Sequence, residues 1–128
     1  MDRVQYLELV KEFHAYFELP YNDDGPGMLK SELGEQRIKH LTEELGEYVD
    51  ATYQGNQEEQ LDALCDLLYV LLGTVIMHGY ADIFPEAFSR VHRANMSKVR
   101  IPFGEKQGIR KPVGWEAPTF GDLLEGRN

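Results

Sequence analysis

Five carboxylates in this chain have the types and spacing to hold a hard cation: Glu43, Glu44 and Glu47 in the run EELGE, and Asp62 and Asp66 in LDALCD. Between Leu41 and Asp66 there are eight acidic side chains, Asp50, Glu58 and Glu59 completing the set, and no Lys or Arg. Such a field repels itself unless a cation is bound, and oxygen ligands at this density suit a divalent ion such as magnesium. A solvated helix face is the competing reading. The surroundings of Asp66 weigh against it, because Leu64, Cys65, Leu67 and Leu68 flank this carboxylate and no basic residue lies near it in the chain. An unpaired carboxylate in apolar surroundings costs several kcal/mol, and metal ligation by Asp66, with Asp62 one turn earlier, would offset that cost.

Two helices must position these acids. Ile38, Leu41, Leu45, Tyr48 and Thr52 recur at helical spacing, which predicts a helix from about Leu29 to Tyr53 with the glutamates on one flank. Gly55 and Asn56 stop it. Gly46 in its middle suggests close approach of another backbone or of an ion, or a tolerated weak spot. Gln57 to His78 reads as a second helix, closed by Gly79; Leu67 to Met77 is so apolar that burial on all sides, some of it by another subunit, is expected. The tight connection predicts antiparallel packing, which would merge the two acidic sets into one site.

The rest of the chain supplies a frame and a counter-charge. A first helix has Asp2 as its cap and Tyr6, Leu9, Val10, Phe13 and Phe17 as its apolar stripe; His14 and Tyr16 read as packing or surface residues. PYNDDGPG is a loop. A fourth helix starts near Ile83 with Pro85 in its first turn. Its stripe of Phe84, Phe88 and Val91 points inward, and the same face continues to Asn95 and Lys98, as phosphate ligands or, for Lys98, a salt-bridge partner of an acid. From Arg90 to Lys111 there are seven basic residues and one acid, Glu105. An acidic metal-binding half followed by a basic segment suits a magnesium-bound polyphosphate. Residues 99–118, rich in Gly and Pro, read as an irregular basic loop, with Trp115, Arg110 and Lys111 closing over a ligand or packing on a partner subunit. Thr119 caps a last short helix.

Bulk properties bound the class. At 128 residues the chain is expected to be a single domain, 1–128, that buries more surface by association. A net charge of −9 argues against nucleic acid or an anionic membrane as partner. The apolar run of the second helix is too short for a bilayer, and no signal peptide is visible. The lone Cys65 excludes a disulfide framework or a cysteine zinc site, fits the cytoplasm, and reads as a small core residue.

EELGE, LDALCDLLYVLLGT and VHRANMSK, in that order, resemble the MazG-like all-α nucleoside triphosphate pyrophosphohydrolases, a superfamily that includes phosphoribosyl-ATP pyrophosphohydrolase and the all-α dUTP pyrophosphatases. The resemblance runs from FHAYF to KPVGW. It implies an all-α bundle of four to five helices completed by homodimer or homotetramer formation. It also implies magnesium, with manganese able to replace it, on Glu43, Glu44, Glu47 and Asp66, and phosphate contacts from Asn95 and Lys98. The family's usual second motif, ExxD, would need Glu at 63, where this chain has Ala63; Asp62 stands one position earlier and shares the face of Asp66. The implied reaction is magnesium-dependent hydrolysis of a (deoxy)nucleoside triphosphate to the monophosphate and pyrophosphate, in nucleotide-pool house-cleaning. Glu44 or Glu47 would activate the water, and Lys98 would offset the developing charge with Arg93, Lys111 or Arg110 as helpers. Phe17, Tyr48 and Tyr69 are candidates to hold the base and sugar. Phosphoribosyl-ATP as substrate and a non-catalytic, metal-stabilised helical module are the alternatives.

Overall fold

The computed structural model describes residues 5–100 and 109–125, without the side chain of Arg100. Asp2, the expected cap, and Glu105 and Lys106 of the basic loop lie outside the described residues. Among the described residues, five helices and two strands of two residues each make the fold all-α: α1 Tyr6–Tyr16, α2 Ser31–Gln54, α3 Gln57–Met77, α4 Phe84–Met96, β1 Val99–Arg100, β2 Ile109–Arg110 and α5 Gly121–Glu125. The chain forms two compact units, Met1–Ala81 and Asp82–Asn128.

The first unit is built on the α2–α3 hairpin. Gly55 takes the left-handed conformation at φ 68° that ends α2, and the next N–H, of Asn56, donates to Ala51 O at 3.0 Å. Asn56 then caps α3, its side chain accepting from Glu59 N–H at 3.1 Å. A two-residue connection leaves the helices no choice but to pack antiparallel, and Gln60 Nε2 donates across it to Thr52 Oγ1 at 2.8 Å. Ala51 of α2 and Ala63 of α3 are each buried, at 3% exposure, and line one cleft with Glu47 and Asp62. Position 63 is thus a buried packing position.

α1 lies on α3 through Val10 and His14. Burial of His14 at 8% exposure is possible because Gly73 of α3 leaves a vacancy: a Cβ there would stand 2.6 Å from His14 Nε2 and 3.1 Å from Arg37 Nη2. Arg37 reaches in from α2, its Nη2 donating to Val70 O at 2.9 Å and its Nε to Thr74 Oγ1 at 3.1 Å. Gly46, by contrast, meets nothing within 4 Å, so of these two helix glycines packing requires Gly73. The PYNDDGPG loop is fastened to the end of α3, where Asn22 N–H donates to Met77 O and Gly27 N–H to His78 O. Gly79, at φ 77°, turns the chain within 2.5 Å, measured from a would-be Cβ, of Gly25 O.

Several apolar stripes face outward in this chain. Ile38 is 66% exposed, Leu45, Leu64, Leu71 and Tyr69 are each exposed, and α4 buries no residue at all, Phe88 and Val91 included. The inward direction expected for the α4 stripe is therefore not found. Cys65 is exposed too, because it lies off the α2 seam and lines an outer hollow with Leu61 and Asp62. α3, at 21 residues, does have the length and composition to cross a membrane, unlike its apolar run alone; core helices pass the same test, and four carboxylates in its first ten residues argue against a span.

In the second unit the expected irregular loop contains a β1–β2 ladder, Val99 opposite Arg110 and Arg100 opposite Ile109. The β-branched Val99 and Ile109 suit it. α5 starts at Gly121 rather than directly after a Thr119 cap, and Thr119 O instead accepts from Arg90 Nη1 at 2.9 Å.

Candidate active site

The hairpin brings Glu44, Glu47 and Asp66 together, with one carboxylate oxygen from each lying within 4.8 Å of the others. Two come from successive turns of α2 and one from α3, as an i, i+3 pair facing a single residue across an antiparallel seam must. Glu44 and Asp66 are half-buried and Glu47 is exposed. Glu44 Oε2 is buried without a hydrogen-bond partner. Three carboxylates offer only acceptors to one another, so the group lacks a donor: it needs a proton or a cation.

Its protonation equilibrium reflects that shortage. Burial, a proton shared with Glu47, and the charges of Glu47, Asp66 and Glu43 push Glu44 up to about 7. Burial and the charges of Asp62 and Glu47 raise Asp66 as well. A divalent ion would reverse both effects, and three carboxylates on two rigid helices are the donor set such an ion takes. The residues fit the group that the resemblance implies.

The other two expected ligands stand apart from this trio. Glu43 and Asp62 contribute charge to it without joining it. Asp62 instead lines an adjoining cleft of about 380 Å³ with Glu47, Asp50 and Glu59. Glu47 alone belongs to both. Helical spacing puts Asp50 on one flank with Glu47, whereas Glu59 counts in the sequence only by its charge. His40, whose Nε2 lies 3.5 Å from Glu44 Oε1, was not singled out, although its i, i+4 spacing to Glu44 was the available signal.

Of the aromatic candidates, Phe17 and Tyr69 share one cluster, with Phe13 at ring-centroid distances of 4.8 and 5.4 Å from them. Tyr48 makes no ring contact of this kind among the described residues.

In the second unit the cations divide into two sets. Arg90 is tied to Glu86 and, through two nitrogens, to Asp122, and Arg93 is engaged by Glu86 at 3.2 Å and Ser89 at 2.6 Å. Asn95, Lys98, Arg110 and Lys111, with Ile109, line a pocket of about 630 Å³. Lys98 lies beyond the end of α4, not on its inner face, and its ammonium stacks 5.3 Å from the Trp115 ring centroid.

The phosphoribosyl-ATP pyrophosphohydrolase (PRA-PH) pattern matches residues 10–95, about two-thirds of the chain. The chain belongs to that family. PRA-PH proteins are members of the MazG-like all-α NTP pyrophosphohydrolase superfamily, so the activity to which the matched region points is pyrophosphohydrolysis, metal-dependent in the family generally. No individual curated protein gives a significant match. The PRA-PH match takes in Glu44, Glu47 and Asp66 and ends at Asn95, before Lys98, Arg110, Lys111 and Trp115.

Proposed function

We propose that this PRA-PH protein is a magnesium-dependent hydrolase of (deoxy)nucleoside triphosphates, releasing the nucleoside monophosphate and pyrophosphate in the cytoplasm. The observation that carries this reading is the convergence of Glu44, Glu47 and Asp66 within 4.8 Å of one another, with Glu44 Oε2 buried and without a hydrogen-bond partner among the described residues. Glu44, Glu47 and Asp66 would hold the ion, with Glu43 and Asp62 acting through their charge or through water. Magnesium, or manganese in its place, would neutralise phosphate oxygens and lower the pKa of a bound water. Glu47, the exposed member, and Glu44 are the groups to orient that water and take its proton for attack at the α-phosphorus. Asn95 and Lys98 contact phosphate, Lys111 assists them, and Arg93 does so only by giving up Glu86. Outward-facing Leu45, Leu64 and Leu71 support a homodimer or homotetramer rather than a nucleic-acid or membrane partner.

The family's name favours phosphoribosyl-ATP as the second reading. Pyrophosphate release from ribo- and deoxyribonucleoside triphosphates and from phosphoribosyl-ATP, with and without magnesium, separates the two. Turnover should require magnesium and fall by at least about a hundredfold in Glu47→Gln. Turnover of phosphoribosyl-ATP alone would replace the first reading with the second, and a folded protein inactive on every substrate would leave a non-catalytic helical module.

A further inference from the structure

Side-chain hydrogen bonds join α2 to α3 at two levels among the described residues, and the acidic trio lies between them. Beside the turn, Gln60 Nε2 donates to Thr52 Oγ1 at 2.8 Å. At the far level Arg37 of α2 meets two acceptors on α3, its Nη2 donating to Val70 O at 2.9 Å and its Nε to Thr74 Oγ1 at 3.1 Å. Thr74 Oγ1 donates in turn to Val70 O at 2.8 Å, so the two acceptors are themselves tied together. A planar guanidinium held at two fixed acceptors sets both the rotation and the axial position of one helix against the other, which a single bond from a flexible ammonium does not. Gly73 permits the approach, since a Cβ there would stand 3.1 Å from Nη2.

Arg37 precedes Glu44 by seven residues, about two turns or roughly 10 Å along the axis, and so shares its face of α2. Val70 follows Asp66 by one turn of α3. Across that distance the guanidinium makes no ion pair with the trio; what it fixes is register. Three carboxylates within 4.8 Å of one another repel, and the repulsion acts to splay a hairpin that its turn closes at one end only. The Arg37 bonds close the other end, shielded from water by a half-buried Arg37 side chain and a buried Val70.

We propose that Arg37 is a positioning residue of the metal site: with Val70 and Thr74 it clamps α2 to α3 in the register at which Glu44, Glu47 and Asp66 converge, so that the ligands are assembled before a cation arrives. The role rests on the metal-site reading above; the clamp rests on the hydrogen bonds alone. Charge and clamp predict opposite signs. A fixed cation near the trio opposes the binding of a second, so removing Arg37 would tighten metal binding if only its charge mattered, whereas a ligand set released from its register binds more weakly.

The test is manganese titration of the full chain at pH 8, with the free ion followed by its electron paramagnetic resonance signal. Wild type, Arg37→Met, Thr74→Val and the double variant are compared at a temperature where circular dichroism shows each to be folded. Arg37→Met should raise the Kd about tenfold. Thr74→Val, which leaves every charge in place and removes one of the two acceptors, should raise it about threefold. The double variant should bind no more weakly than Arg37→Met, because both changes break one clamp. A role in stability alone would leave the affinity of the folded protein where it was. Affinity in Arg37→Met equal to or tighter than wild type, unchanged affinity in Thr74→Val, or losses that multiply in the double variant would each overturn the proposal; should Arg37→Met fail to fold, Thr74→Val decides it. Unaltered variants of a wild type that binds manganese would remove the clamp and leave the hydrolase reading standing, whereas a wild type that binds none would remove the metal site and the clamp's role together.

Discussion

Replacing Glu44 by Gln should stabilise the metal-free protein and at the same time sharply reduce its response to magnesium. At 4.8 Å, the outer limit of separation in the trio, two negative charges repel by about 0.9 kcal/mol in a water-like dielectric and about 3.5 kcal/mol at an effective dielectric of 20. Gln removes two such pairs, those with Glu47 and Asp66, and its amide can donate where the carboxylate could only accept. Discounted for the exposure of Glu47, a gain of about 1–2 kcal/mol at pH 8 is expected, or roughly 3–6 °C in melting temperature. Magnesium at about 100 times its Kd should raise wild-type stability by about 2.7 kcal/mol and that of Glu44→Gln by far less. The sign with pH follows from a folded value near 7 against an ordinary 4.5. The metal-free wild type has its full stability below the unfolded value and loses it as pH rises through about 7, whereas magnesium affinity rises over the same interval because the ion displaces the proton. Glu44→Gln should flatten both dependences. Thermal melts from pH 5 to 8, with EDTA or magnesium, are the assay. A metal-free mutant less stable than wild type, or one with an undiminished magnesium shift, would refute the reasoning.

Gly73→Ala should cost about 1–3 kcal/mol in urea denaturation, since its Cβ would collide with the buried His14 ring and press on Arg37; stability equal to wild type would show that α1 yields freely. Arg37→Met should cost a similar amount by leaving Val70 O and Thr74 Oγ1 without this donor, measured the same way. Asn56→Ala should cost about 1 kcal/mol through the lost cap of α3, whereas Asn56→Asp should not. In the second unit, Arg90 holds Asp122 down at about 2, so that pairing persists above the ordinary carboxylate range and is lost as pH falls through about 2. Asp122→Asn should therefore reduce amide-exchange protection of Leu123 and Leu124 at neutral pH, and unchanged protection would mean that α5 is held otherwise.

The residues alone specify the hairpin and the chemistry it carries. Gly55 followed by Asn56 can only end one helix and cap the next, and EELGE facing LDALCD across that turn must collect negative charge. What helical spacing leaves open is the rotation of each helix about its axis, an uncertainty of about one residue that decides which acids meet. The folded hairpin settles it, burying Ala51 and Ala63, bringing Glu44, Glu47 and Asp66 together and sending Asp62 to the neighbouring cleft with Asp50 and Glu59. The same freedom put Cys65 outside and His14 inside, since neighbours in sequence differ by about 100° around a helix and only the facing surface tells them apart. Spacing along α4 likewise pointed Lys98 inward, but the helix ends at Met96, and Trp115, 17 residues beyond Lys98, determines where the ammonium rests. Contacts between residues so distant in the chain leave no periodic signal in either segment, so only the folded backbone brings them to light.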